Sequence, residues 1–366
     1  MKKINRRNLF LMILGLAIIL IIFLLIMLFE NNHREQTVKI GFVMAGQKDE
    51  NGWNGMQYQG IRKACEELGT ELVVRENVKE FSGQCAVAVK EMAEEDVGMI
   101  VLGSYSYAEE MKDLVAEYPD IAFYVNSSEY HRENMTYYFA RMYQTRYLSG
   151  ILAGMQTTSD KIGYVAAMPN NEVNRGISAF ALGVRRVNPD ARVIISWTGS
   201  WDDEQKEKEL AGKLIEEKGV DVLTYHQNQN YVIQVAEEKG VASIGFHEQF
   251  YGFSPKYLTS AVYDWYAVYR ELVREFMRGK GNSQNNYWIG IEKGAVSLSE
   301  YSSEVTKEMR DEVEKAKKEI LGGKDVFSGV IYDNQGNLRC GENEVISDEQ
   351  LLERFDWYAE GVEFYG

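Results

Sequence analysis

The sequence predicts an α/β protein of two similar lobes, each a doubly wound parallel sheet, preceded by one N-terminal transmembrane helix. Three observations carry this reading. Residues 9–29 form an uncharged apolar run of 21 residues. Beyond residue 36, short apolar runs alternate with helical patterns. The alternation falls into two series, about 37–140 and 160–250, with no Pro/Gly/Ser-rich tether between them.

At about 1.5 Å per residue, the apolar run is long enough to cross a hydrocarbon core about 30 Å thick. Lys2, Lys3, Arg6 and Arg7 precede it. By the positive-inside rule residues 1–8 stay cytoplasmic and everything after the span lies outside. A cleaved signal peptide is the competing reading, but the run exceeds a typical h-region and no small-x-small pattern follows it. The expectation is an uncleaved signal anchor over 9–29, a linker over 30–36, and a single-pass protein of the cell membrane whose globular part is extracytoplasmic.

That globular part opens with a strand, a turn and a helix. Val38, Ile40, Phe42 and Val43 form a mostly apolar run, as a strand buried on both faces of a parallel sheet requires. Ile61, Ala64, Cys65 and Leu68 recur at helical spacing, and Gly69 stands where a helix end favours a left-handed residue. Between them lie Asp49, Glu50, Asn51, Gly52, Trp53 and Asn54. The carboxyl end of a strand is where open α/β sheets bind ligands.

Further strands are predicted at 71–74, 99–102, 122–125, 162–168, 193–196, 222–225 and 242–246. A helix is expected over 143–155, with Tyr147, Leu148, Ile151, Leu152 and Met155 on one face, and another over 203–218 with Leu210, Ala211, Leu214 and Ile215. A late helix over 266–278 follows the second series and is placed to return to the first lobe. Lobe one is thus expected to comprise 37–141 plus about 264–290, and lobe two 142–263 plus about 291–366. Several short crossings between two lobes make a hinge with a cleft.

Composition narrows the function. The chain of 366 residues is 45% apolar, which suits one large or two medium globular domains rather than disorder. Its net charge is −15 although its first charged residues are basic, which argues against nucleic acid or anionic lipid as a partner. Cys65, Cys85 and Cys340 are widely separated, an odd set that implies neither a disulfide framework nor a zinc site. There is no nucleophile elbow, P-loop or HExxH; no second histidine follows His247 and Glu248 at the required spacing. Asp202, Asp203 and Glu204 read as a helix N-terminus, and 304–318 as a solvated helix face. Neither catalysis, nor a metal, nor a cofactor is expected.

Several stretches then point to one family. They are ENGWNGMQYQGI, YFARMYQTRYLSGILAGM, KIGYVAAMPNNEVNRGISAFALGVRRVNPDARV with its Pro-x-x-Glu-Val-Asn-Arg core, WTGSWDDEQKEKELAGKLI, HQNQNYVIQVAEEKGVASIGF, LTSAVYDW, YWIGIEKGAVSLS and the tail DNQGNLRCGENEVISDEQLLERFDWYAEGV. In this order they resemble the basic membrane protein family, substrate-binding proteins of ABC transporters that include purine-nucleoside-binding lipoproteins. The resemblance spans about residues 38–365. It implies a type I periplasmic-binding fold that closes on a purine base or nucleoside and delivers it to an ABC permease and its ATPase. The alternative is a membrane-tethered sensor that uses the same fold to signal to a membrane partner.

A flat heteroaromatic ligand needs apolar faces above and below it and a few polar groups around its edge. Trp53 aligns with the family's first-turn aromatic and Asn54 with the asparagine beside it. The resemblance therefore implies Trp53 as one stacking face and Asn54 or Glu50 as edge contacts; the other reading of Trp53 is a core residue capping the first helix. Trp201, in the turn GSWDD, aligns with a family aromatic and is a candidate for the opposite face, or else packs beside Trp197. Ser104 and Tyr105 follow the strand at 99–102, and Asn170 and Asn174 follow the strand at 162–168, so all four stand at strand carboxyl ends. For Asn174 and Arg175 a helix-capping or inter-lobe role stands beside ligand contact.

The nucleoside-binding members carry an acidic residue after the strand matching 242–246 and a lysine near the strand matching 258–262. This chain reads GFHEQF and SAVYDW there, so His247 or Glu248 replaces the first and no lysine supplies the second. A free purine base or another small heteroaromatic thereby becomes as good a ligand as a nucleoside, with His226, Gln227, Asn228 and His247 as neutral polar edges; for His226 and His247 a satisfied structural role stands beside ligand contact.

Overall fold

The computed structural model describes residues 37–366 apart from 51, 127–129, 131 and 281–285, together with 18, 19 and 21. The chain divides at Val38, and the unit Lys39–Gly366 holds both sheets. Ile18, Ile19 and Ile21 of the predicted span are helical and exposed; the rest of the span and the linker at 30–36 lie outside the described residues. Among the described residues no helix is long and apolar enough to cross a membrane.

The first lobe is built on β1 (Lys39–Val43), α1 (Trp53–Leu68), β2 (Glu71–Arg75), α2 (Gln84–Glu94), β3 (Met99–Leu102), α3 (Tyr105–Met111), β4 (Ala122–Val125) and β5 (Met135–Ala140). Its strands pair in parallel in the order β2-β1-β3-β4-β5. β3, β4 and β5 are buried along their whole length, which is why β3 and β4 read as continuous apolar runs instead of alternating ones; β5 was not expected from the sequence. α1 ends as expected: Gly69 takes φ 68° and its N–H bonds the Cys65 carbonyl.

The second lobe continues with α4 (Met142–Gln156), β6 (Lys161–Ala166), α5 (Asn171–Val187), β7 (Arg192–Trp197), α6 (Glu204–Lys213), β8 (Val222–His226), α7 (Tyr231–Lys239), β9 (Ala242–His247) and β10 (Tyr257–Tyr263). After β10 the chain returns through α8 (Trp265–Glu275), which packs on α1, and adds β11 (Tyr287–Ile289) in parallel beside β5. It then crosses again to β12 (Val296–Leu298), antiparallel to β10. α9 (Lys307–Leu321), a hairpin of β13 (Ile331–Tyr332) and β14 (Leu338–Cys340), α10 (Asp348–Glu353) and β15 (Val362–Phe364) complete the chain. The second sheet runs β15-β7-β6-β8-β9-β10-β12 and is parallel except at β12.

Local chemistry explains where the observed elements differ from the expected ones. The strand expected over 162–168 stops at Ala166, because Pro169 lacks an N–H for the ladder and Asn170 already accepts from the Val173 N–H as the cap of α5. The helix expected over 203–218 loosens after Lys213 into a π turn, Leu214–Lys218, closed by left-handed Gly219. The charged segment near 304–318 is helical as α9, and its Met309, Val313 and Ala316 are buried beneath the charged face.

α4 and α5 approach until backbone meets backbone. Gly150 and Gly183 permit this: a Cβ on either would overlap a carbonyl of the facing helix, Phe180 and Tyr147 respectively. Almost every residue of α4 between Met142 and Gly154 is consequently buried.

Arg141, between β5 and α4, ties the crossings together. Its N–H bonds Ile289 O at 2.8 Å, its Nε donates to Trp288 O at 2.9 Å, and Nη1 donates to Asp348 Oδ1 at 2.8 Å. The guanidinium also lies 4.3 Å over the Trp288 ring. One side chain thus joins two crossings and the tail helix α10.

Candidate functional site

Because every strand but β12 in the two sheets runs parallel to its neighbours, the carboxyl ends gather on one edge of each, and Trp53 meets His247 and Tyr263 where those two edges face each other. Trp53 begins α1 after Gly52, whose φ of 84° only glycine adopts at low cost. Its Nε1 donates to Gly103 O at 3.0 Å, fixing the indole against the end of β3. The ring lies 6.1 Å from Phe139 and 5.2 Å from Trp265. Across the cleft it reaches lobe two, with centroid separations of 6.4 Å to both Tyr263 and His247. Gly52 itself lies so near the Asn228 carbonyl that a Cβ there would touch it at 3.9 Å. The lobes are therefore in the closed arrangement, aromatic ring against aromatic ring.

The lobe-two wall continues this array. Phe246 lies 3.9 Å from His247 and 4.3 Å from His226, and His226 lies 6.0 Å from Trp201. A small cavity of about 10 Å³, bordered by Phe139, Glu172, Arg175 and His226, marks the inner end of the cleft. At the mouth an open groove of about 550 Å³ is lined by Asp49, Glu50, Gly52 and Trp265 of lobe one and by Glu248 and Tyr263 of lobe two. A ligand the size of one aromatic ring system fits only after the rings part.

The expected site residues separate into two groups. Trp53, Trp201, His226, Asn228 and His247 come together around the cleft. The other five are engaged or turned elsewhere. Asn54 donates to Glu50 Oε1 at 2.6 Å and Glu50 Oε2 accepts from Gln47 N–H, so the pair holds the first turn together at the groove. The Ser104 hydroxyl donates to Glu80, and Tyr105 is exposed on α3. Asn170 caps α5. Asn174 and Arg175 serve the tail: Asn174 donates to Phe355 O at 3.1 Å, and Arg175 Nη1 to Leu351 O at 2.5 Å while its guanidinium lies 4.8 Å over Trp288.

Electrostatics make the wall neutral where it faces the cleft. His226 is held well below the usual histidine range by burial, then by the Arg146 charge, with His247 in acid and the Arg175 charge adding to it. His247 is pushed down to about 3 by burial and by Arg146. Both imidazoles are therefore uncharged at neutral pH. Glu172 is raised by burial, against the pull of Arg175 and a 3.3 Å hydrogen bond from Tyr263 OH. His247 also has φ 73°, a left-handed conformation that non-glycine residues adopt under constraint.

Asn126, Phe139, Glu172, Tyr263 and Trp265 belong to this region and were not anticipated. Asn126 stands directly after β4, so the strand-end rule that selected Ser104 reaches it too. Phe139 reaches Trp53 through the strand order of the first sheet, and Tyr263 and Trp265 through the crossings, neither of which spacing along the chain reveals. Among the described residues no group of three or more His, Cys, Asp or Glu side chains is gathered to hold a metal ion.

Comparison with known proteins agrees with this architecture. Residues 37–328 match the family model described as Bmp, ABC transporter substrate-binding protein PnrA-like. A purine-binding protein of Brucella abortus is 31% identical over 341 residues, covering 90% of this chain and 94% of the relative. A protein of Haloferax volcanii named as an ABC transporter glucose-binding protein is 31% identical over 330 residues, covering 90% and 81%. The crystal structure of a transcriptional activator of the comK gene from Bacillus halodurans shares the fold, with a TM-score of 0.69 at 24% identity over 78% of this chain and 99% of that one. With most of its length inside the family model and close to a third of its residues shared with one relative, the chain belongs to the Bmp family of PnrA-like ABC transporter substrate-binding proteins.

Proposed function

We propose that this protein is a membrane-anchored extracytoplasmic receptor that captures a purine-like ligand, base or nucleoside, between its lobes and presents the closed form to an ABC permease. The observation that carries the reading is Trp53 facing His247 and Tyr263 across the cleft, an aromatic platform ringed by uncharged polar groups. The Brucella relative is named for purine binding, which supports the ligand class; the Haloferax relative, of equal identity, is named for glucose. Aromatic faces on both lobes suit a flat ring better than a sugar, whose hydroxyls need charged or amide partners in number. Closure follows from the ligand binding the closed arrangement more tightly than the open one, and shifts by no more than that difference.

A second reading is that the same closure signals to a membrane partner; the fold is shared with a transcriptional activator of Bacillus halodurans, so it is not confined to transport. The test uses the full chain in detergent, with melting temperature read across nucleobases, nucleosides and monosaccharides. Stabilisation by purine compounds is expected; stabilisation by sugars alone refutes the ligand class. Co-purification of an ABC permease from native membranes separates delivery from signalling. Extraction at alkaline pH tests the anchor: release of the chain with the peripheral proteins contradicts it.

A further inference from the structure

Around the cleft, buried polar atoms stand without hydrogen-bond partners among the described residues: Asn126 Oδ1, Gln227 Oε1, His226 Nδ1, both ring nitrogens of His247, and Trp265 Nε1. Each of these side chains is more than nine-tenths buried. Folded proteins leave few such groups, because each costs the desolvation of a donor or acceptor. Their concentration at the facing strand ends and at the start of α8 describes what a ligand has to supply.

The pattern can be read group by group. Asn126 Nδ2 donates to Gly103 O at 3.5 Å and Gln227 Nε2 to Thr198 Oγ1 at 2.8 Å, so in both amides it is the carbonyl that is left over. Those two acceptors, one on each lobe, call for N–H donors. Trp265 Nε1–H calls for an acceptor, neutral His247 offers one donor and one acceptor, and His226 offers Nδ1. The field behind the wall adds a sign. Arg146 is fully buried, and its hydrogen bonds go to neutral groups, Tyr164 OH at 2.8 Å, Thr224 Oγ1 at 3.2 Å and Tyr225 O. It lies 4.3 Å over Phe246, the ring against both histidines. Neither Arg146 nor Arg175 is ion-paired with a carboxylate among the described residues, and Glu172 is the single acidic group beside them. An excess positive potential disfavours cationic ligands and favours a carbonyl, or a ring that gives up a proton.

We propose that the cleft selects oxo-substituted purine bases, lactams with alternating N–H and C=O groups, over aminopurines, and that His247 is a specificity-determining residue. This rests on the purine reading above and narrows it. The experiment measures dissociation constants of the full chain in detergent by calorimetry for hypoxanthine, xanthine, adenine and adenosine, and repeats them on His247→Asp. Aspartate tolerates the left-handed backbone, supplies acceptors only, and adds a negative charge. Wild-type protein is expected to bind hypoxanthine or xanthine at least about tenfold more tightly than adenine, a difference of about 1.4 kcal/mol. His247→Asp is expected to reverse that preference. Adenine binding as tightly as the oxopurines overturns the proposal and leaves purine binding standing. A folded His247→Asp variant with unchanged preference removes His247 from the selection. Binding of no purine at all overturns this inference together with the reading beneath it. Should the variant fail to fold by its melting curve, the wild-type panel alone decides.

Discussion

Replacing Trp53 by alanine tests the platform most directly. In the closed arrangement its ring meets Phe139, Trp265, Tyr263 and His247 at 5.2 to 6.4 Å. Two of these, Tyr263 and His247, belong to lobe two, so at about 0.5–1.5 kcal/mol per aromatic pair the indole contributes about 1–3 kcal/mol to closure. Stacking against a bound base is worth a similar amount, about 1–3 kcal/mol. Trp53→Ala is therefore expected to weaken hypoxanthine binding by about 5- to 150-fold. Trp53→Phe keeps a ring but loses the 3.0 Å hydrogen bond to Gly103 O, about 1 kcal/mol, and is expected to fall between wild type and alanine. Calorimetry on the full chain in detergent reads the dissociation constants, with a melting curve to show that each variant is folded. An unchanged constant in folded Trp53→Ala refutes the platform.

Three further outcomes follow. Arg141→Ala removes the bond to Trp288 O, the pair with Asp348 and the stack on Trp288, and is expected to cost about 2 kcal/mol of stability by urea unfolding. Gly183→Ala drives a methyl into the Tyr147 carbonyl and is expected to cost about 1–3 kcal/mol or more, whereas Gly212→Ala, with open space at the Cβ, is expected to change stability little. His247 is pushed from 6.5 down to about 3, so on acidification the unfolded chain takes up its proton first; the stability it supports is present above pH 6.5 and lost as pH falls toward 3. His247→Gln is expected to flatten that acid limb in urea titrations between pH 7.5 and 4.

Much of the fold was legible because the signals were local. The strands at 99–102 and 122–125 carry enough apolar residues to be recognised alone, and both appear with those bounds. Gly69 announced a helix end through its own conformational freedom. β11, β12 and β15 were not legible: each has three residues, too few for a period, and each exists because a neighbouring strand offers an edge. The site followed the same division. Trp53, Trp201, His226 and His247 stand at strand ends or the turns after them, where a rule about sheets applies. Asn170 and Asn174 met the same rule, yet Asn170 caps α5 through Val173 three residues on, and Asn174 is engaged by the tail, whose hydrogen-bond partners 181 to 184 residues away cannot be read from spacing. The role of Arg146 was invisible for a related reason, as its burial and its hydrogen bonds to neutral partners are properties of packing.

The tail also sets an order of events. Arg175 and Asn174 are held by carbonyls of Leu351 and Phe355, while β15 covers the outer edge of β7. The inner end of the cleft thus depends on segments separated by more than 170 positions, a long-range closure that comes late in folding. A chain still being made has β1 to β12 before it has a finished binding wall, and until β15 arrives the edge of β7 is open to pairing with a neighbour. Truncations that remove residues 351–364 but spare every residue facing the cleft are therefore expected to yield a receptor that cannot recognise its ligand.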